Sequence, residues 1–175
     1  LFDAMYQPKP AFWAFVDPSK LPPFVQEVTA LQTKQYELAG SYEAKKDDVR
    51  INFTPIWNEE AVSVKVFVGD KTQDADDEVS VFIDMKDSRK EGAAILSQTV
   101  MRNETDSKAN GYEAEFIFEA EDITLFSTVG FDIRVKNGDT VFSWNDTNNN
   151  QDKSSESYGK LILKPYATIP KGKVA

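Results

Sequence analysis

Hydrophobic and polar residues alternate along most of this chain. Val62, Val64, Val66 and Val68 hold a strict period of two over seven residues, the spacing that sets one side of a half-buried strand against a core. Val49, Ile51 and Phe53 alternate in the same way ahead of it, and Val79, Val81 and Ile83 after it. Further short β-rich runs follow at Gly92–Met101, Tyr112–Phe118, Val129–Val135, Val141–Trp144 and Leu161–Leu163. Turn residues separate them, including Asn110-Gly111 and Lys136-Asn137-Gly138-Asp139, which predicts a hairpin. Eight or more short strands with few helical stretches predict an all-β fold, a β-sandwich.

The first 24 residues break this pattern. They hold Pro8, Pro10, Pro18, Pro22 and Pro23, five of the eight prolines. Pro10 suits the first position of a short helix, where its missing N–H costs nothing. Phe12, Trp13, Phe15 and Val16 then form an apolar cluster with no local partner, so this helix has to dock on something larger. Pro18 to Pro23 reads as a stiff linker.

Composition narrows the chemistry. The 175 residues carry 29 acidic against 20 basic side chains, a net charge of −9. Such a surface repels phosphate, so nucleic acid and anionic membrane are poor partners, and no apolar run approaches the ~20 residues of a membrane span. The chain has no His and no Cys. That excludes Ser-His-Asp triads, Cys-His pairs, imidazole or thiolate zinc sites and disulfides. No phosphate-binding glycine loop is present. Carboxylate catalysis, calcium binding and sugar recognition stay open.

Specific phrases extend this reading. LFD followed by YQPKPAFWAFVD at residues 6–17 resembles the closing helix of a glycoside hydrolase family 10 xylanase barrel. Four later phrases resemble a family 9 carbohydrate-binding module, in the order of that family: VRINFTPIWNEEAVSVKVFVGD, DEVSVFIDMKDSRKEG, GYEAEFIF with GFDIRV, and SWNDTNNN followed by YGKLIL. The family's usual opening phrase is not recognisable in QYELAGSYEAKKDD. The resemblance implies four segments: a barrel remnant at 1–18, a linker at 19–27, a β-sandwich module at 28–165 and a tail at 166–175. It also implies an extracellular setting, a catalytic barrel in cis, and xylan or cellulose chains as partners. The family 10 acid and nucleophile lie upstream of the closing helix, so this chain is expected to be non-catalytic.

The resemblance further implies a sugar site made of two Trp rings clamping a terminal sugar, with polar groups reading its hydroxyls. Here the two ring positions fall at Asp74 and Asp152, and the carboxylate position at Ser80. The amide is kept, at Asn149. Trp57, Trp144, Tyr112 and Tyr158 fall on framework positions, leaving Tyr36 and Tyr42 unassigned, with Tyr166 in the tail. Two functions follow: sugar binding by altered contacts, or a spacer that has lost the clamp.

Calcium is a separate expectation, since hard cations take six to eight oxygens. Asp70, Asp76 and Asp77 crowd one loop and Asp146 opens another, D-x-N-x-N. The second loop departs from an EF-hand, with Gln151 where Gly belongs and Ser157 in place of the bidentate Glu. The acidic run is equally readable as a solvated loop.

Overall fold

The computed structural model describes residues 16–17, 25–72, 74, 76–108, 110–120 and 123–166. Nearly all of the barrel remnant expected at 1–18, much of the linker at 19–27 and nearly all of the tail at 166–175 lie outside the described residues.

Eleven strands account for the described fold. They are β1 (Glu27–Gln32), β2 (Tyr42–Lys46), β3 (Val49–Trp57), β4 (Ala61–Gly69), β5 (Glu78–Asp84), β6 (Leu96–Met101), β7 (Asp106–Lys108), β8 (Gly111–Glu119), β9 (Thr128–Asn137), β10 (Thr140–Ser143) and β11 (Gly159–Lys164). Short 3-10 turns occur at Tyr36–Leu38 and Arg102–Glu104. The all-β expectation holds, with one refinement. The strands form one continuous path, β6-β5-β9-β11-β1-β3-β4-β8-β7, with β10 added to β9 and β2 to β3.

That path folds over into two layers. β1 joins them, pairing in parallel with β11 (Glu27 opposite Lys160) and with β3 (Leu31 opposite Ile56). At the other seam the Gln98 side chain of β6 donates to the Ile117 carbonyl of β8 at 2.7 Å and accepts from its N–H at 3.3 Å. The result is a flattened, barrel-like closure in which a side-chain amide stands in for a missing strand partner.

The alternation explains the packing. Val62, Val64, Val66 and Val68 are all 1% exposed or less, each worth about 1.5–3 kcal/mol of burial. They face Val79, Val81 and Ile83 of β5 and Phe131, Ile133 and Val135 of β9 within one core. Phe53, Phe131 and Trp144 meet at centroid distances of 5.4–5.7 Å. Trp57, Tyr112 and Tyr158 are also buried, as framework residues should be. Pro55 lies inside β3, between the residues that pair with β2 (49–53) and those that pair with β1 (56–57), so no ladder there needs its N–H.

One predicted element shifts, and β1 and β2 form where no run predicted a strand. The run from Gly92 becomes a strand only at Leu96, because Gly92 (φ +67°) donates its N–H to Lys153 and the Glu91–Ser154 bridge ties this stretch to the 150–157 loop. β2 lies in the stretch QYELAGSYEAKKDD, where no family phrase is recognisable, and β1 lies just ahead of it. The predicted hairpin forms as β9–β10, with Thr140 opposite Asn137 and Gly138 at φ +52°.

Candidate functional site

Residues that alternate with the core positions of β5, β9 and β10 form one outer face. In register, Ser80 lies opposite Arg134, Phe82 opposite Asp132 and Glu78 opposite Lys136, and Ser143 of β10 flanks Arg134 on the other side. β6 adds Thr99 beside Ser80. The loop 145–157 covers one end of this face, and the loop 70–77 packs at the hairpin end, where Asp77 accepts the Gly138 N–H at 3.0 Å.

Buried polar anchors hold the first loop. Asp132 is fully buried and accepts from the backbone N–H groups of Ile133, Asn145 and Asp146 and from Gln151 Nε2. Burial pushes its carboxyl up to about 6 against the pull of those hydrogen bonds. Asp84, at the end of β5, accepts from Ser88 and from Ser155 Oγ at 2.7 Å. Burial raises its carboxyl, but the hydrogen bonds from Ser88 and Ser155 outweigh that and hold it below the ordinary carboxylate value. Tyr158 donates its hydroxyl to the Gln151 carbonyl at 2.6 Å.

On this scaffold the Arg134 guanidinium lies 4.8 Å from the centroid of the Phe82 ring, which is only 1% exposed. Arg134 Nη1 meets Asp152 Oδ2 at 3.0 Å, and Lys136 Nζ meets Asp76 Oδ2 at 3.3 Å. Both carboxylates are exposed, so each pair is worth at most about 1 kcal/mol. Asn149 sits at φ +55°, a region Asn tolerates. Its Oδ1 accepts from Ser143 Oγ at 2.8 Å, and Ser143 in turn accepts from Gln151 Nε2 at 2.7 Å.

Of the sugar-site positions, Asn149 and Asp152 come together beside Arg134. Ser80 is fully buried beneath the face and shares a 2.8 Å hydrogen bond with Thr99. Asp74 is exposed at the far, hairpin end, near Gly138. The sequence reading missed Arg134, Lys136, Phe82 and Ser143. The first two were signalled by the alternation Asp132, Arg134, Lys136 against Phe131, Ile133, Val135.

The carboxylates expected at a metal do not share one point. Asp70 and Asp77 both face Arg102, at 2.5 and 3.4 Å, and Arg102 is 5% exposed with its guanidinium 5.3 Å from the Tyr112 ring centroid. The repulsion within this run is thus relieved by a side-chain cation. Burial raises both carboxyls. Hydrogen bonds from Thr72 and Asn137, together with Arg102, bring Asp70 below its ordinary value, whereas the charge of Asp70 leaves Asp77 above it. Asp76 turns outward to Lys136. Asp146 is fully buried, with Oδ1 accepting from Asn148 N–H and Oδ2 without a partner, as is Gln151 Oε1. Among the described residues, no three acidic side chains gather as a metal-holding group.

The unassigned tyrosines are structural. Tyr42 exchanges hydrogen bonds with the Thr29 backbone, and Tyr36 donates to Glu115 at 2.9 Å on the other layer.

This architecture has close parallels among solved structures. A family 9 carbohydrate-binding module of Caldicellulosiruptor kristjanssonii in complex with glucose superposes with a TM-score of 0.72 at 14% identity, covering 84% of this chain and 100% of that one. The same module with cellotriose gives 0.71. The fold is that of a family 9 carbohydrate-binding module. No protein-family model matches the chain. Its curated relatives include endo-1,4-beta-xylanase A of Thermoanaerobacterium saccharolyticum, 29% identical with 97% of this chain covered, and exoglucanase XynX of Acetivibrio thermocellus, 28% identical with 97% covered. The chain spans only 18% and 19% of their lengths.

Proposed function

We propose that this chain is a non-catalytic carbohydrate-binding module of a secreted, multimodular xylan-degrading enzyme, holding a catalytic barrel near plant cell-wall polysaccharide. The observation that carries the reading is the outer face of β5, β9 and β10. On a family 9 fold, it presents Asn149, Ser143 and Arg134 beside one another at the surface. Solved neighbours of this fold bind glucose and cellotriose, and the relatives in which a stretch like this forms about one fifth of the length are xylanases and an exoglucanase. Isothermal titration with xylo- and cello-oligosaccharides tests it. Heat at millimolar sugar, reduced in Asn149→Ala, is the expected result, whereas no heat would leave a spacer module instead. Release of reducing ends from xylan by this chain would overturn its non-catalytic role.

A second reading is supported by the partnerless oxygens of Asp146 and Gln151. A buried acceptor left unpaired costs about 1–3 kcal/mol, and a hard cation completed by backbone oxygens would remove that cost. The proposal is one structural calcium at this point. The melting temperature is expected to rise with calcium over chelator, as for any ligand of the native state, and to lose that difference in Asp146→Asn. Equal melting temperatures with and without the ion would refute it.

A further inference from the structure

Two cations stand in succession on the central strand of the candidate face. Arg134 and Lys136 project from the same side of β9, about 7 Å apart along the strand, and each meets a loop carboxylate whose side chain is 59% or 67% exposed. We propose that this face binds an acidic sugar, a uronic acid carried as a side group on xylan, whose carboxylate replaces Asp152 on the Arg134 guanidinium. The inference rests on the carbohydrate-binding reading above and names its ligand class.

Four features support it. The guanidinium is already oriented, stacked on the buried Phe82 ring, and its planar fork matches a carboxylate bidentately. Asp152 holds it through Nη1 alone in an exposed pair, a contact weak enough to exchange. Ser143 fixes Asn149 by its Oδ1, which leaves the Nδ2 donors of Asn149 for sugar hydroxyls beside the bound carboxylate. The ring positions are Asp74 and Asp152, so a sugar here gains little from stacking and must gain affinity from charge. The net charge of −9 opposes an anion, but it acts over distances that physiological salt screens beyond about 8 Å, whereas Arg134 makes direct contact.

The test is calorimetric titration of the chain with a xylo-oligosaccharide bearing one glucuronic acid, with the undecorated oligosaccharide of equal backbone length, and with oligogalacturonate. The decorated ligand is expected to bind at least about tenfold more tightly at physiological salt, where the net charge is screened and the direct contact is not. The advantage should disappear in Arg134→Gln and grow in Asp152→Asn, a surface change that leaves the fold intact. Equal affinity for decorated and undecorated ligands, or weaker uronate binding in Asp152→Asn, would overturn the inference while sugar binding stands. No binding of any ligand would remove the underlying reading as well. Tighter binding of oligogalacturonate than of the decorated xylo-oligosaccharide would overturn xylan as the carrier.

Discussion

Arg102 shows what a single buried charge does here. Its guanidinium meets Asp70, Asp77 and the Thr72 carbonyl, and its backbone N–H reaches the Asp77 carbonyl. Removing it strands two buried carboxylates, which typically costs about 3–5 kcal/mol. Arg102→Ala should therefore lower the unfolding free energy by that amount, read as a fall in the denaturant midpoint at unchanged slope. Adding Asp70→Asn to it should recover part of the loss, and a double mutant as unstable as the single would refute the coupling. The sequence showed the acidic run but not its partner, because Arg102 is 25 residues or more from both carboxylates and no local period marks it. Arg134 was more legible. It stands on the polar phase of a strand whose apolar phase is plain, and only the choice of its counter-ion needed the folded loop 145–157.

At the scale of elements, strands were legible wherever one face is buried and the period is two, as in β3, β4, β5 and β9. β1 and β2 were not, since each is short and half exposed, and the pairing of β1 is decided by the distant β11. The loop 145–157 depends on one close approach. A Cβ at Gly159 would lie 2.2 Å from Trp144 Cζ3 and 2.6 Å from Cη2, and Trp144 cannot retreat because Phe53 and Phe131 pack on it. Overpacking of this kind costs about 1–3 kcal/mol, so Gly159→Ala should lower the urea midpoint with an unchanged slope. A midpoint equal to wild type would show that the ring can move.

For the whole molecule, composition excluded thiol and imidazole chemistry, and alternation delivered the all-β class, but closure of the sheet was invisible. The Gln98 amide against Ile117 joins positions 19 residues apart, and the parallel pairing of β1 with β11 joins positions more than 100 apart. The candidate face was half legible in the same sense. Its amide, its loop and the polar phase of β9 were recognisable, while the pairing of its cations with loop carboxylates needed the folded chain.

The parallel pairing of β1 with β11 has a mechanical consequence. Glu27 lies opposite Lys160 and Leu31 opposite Lys164, so the chain enters β1 at one end of the module and leaves β11 at the other. Polypeptide attached on both sides would run in line through the module, and tension between them would slide these two strands past each other. All their hydrogen bonds would bear the load together rather than peel apart in turn. A module pulled by polypeptide at both of these ends would thereby resist being opened.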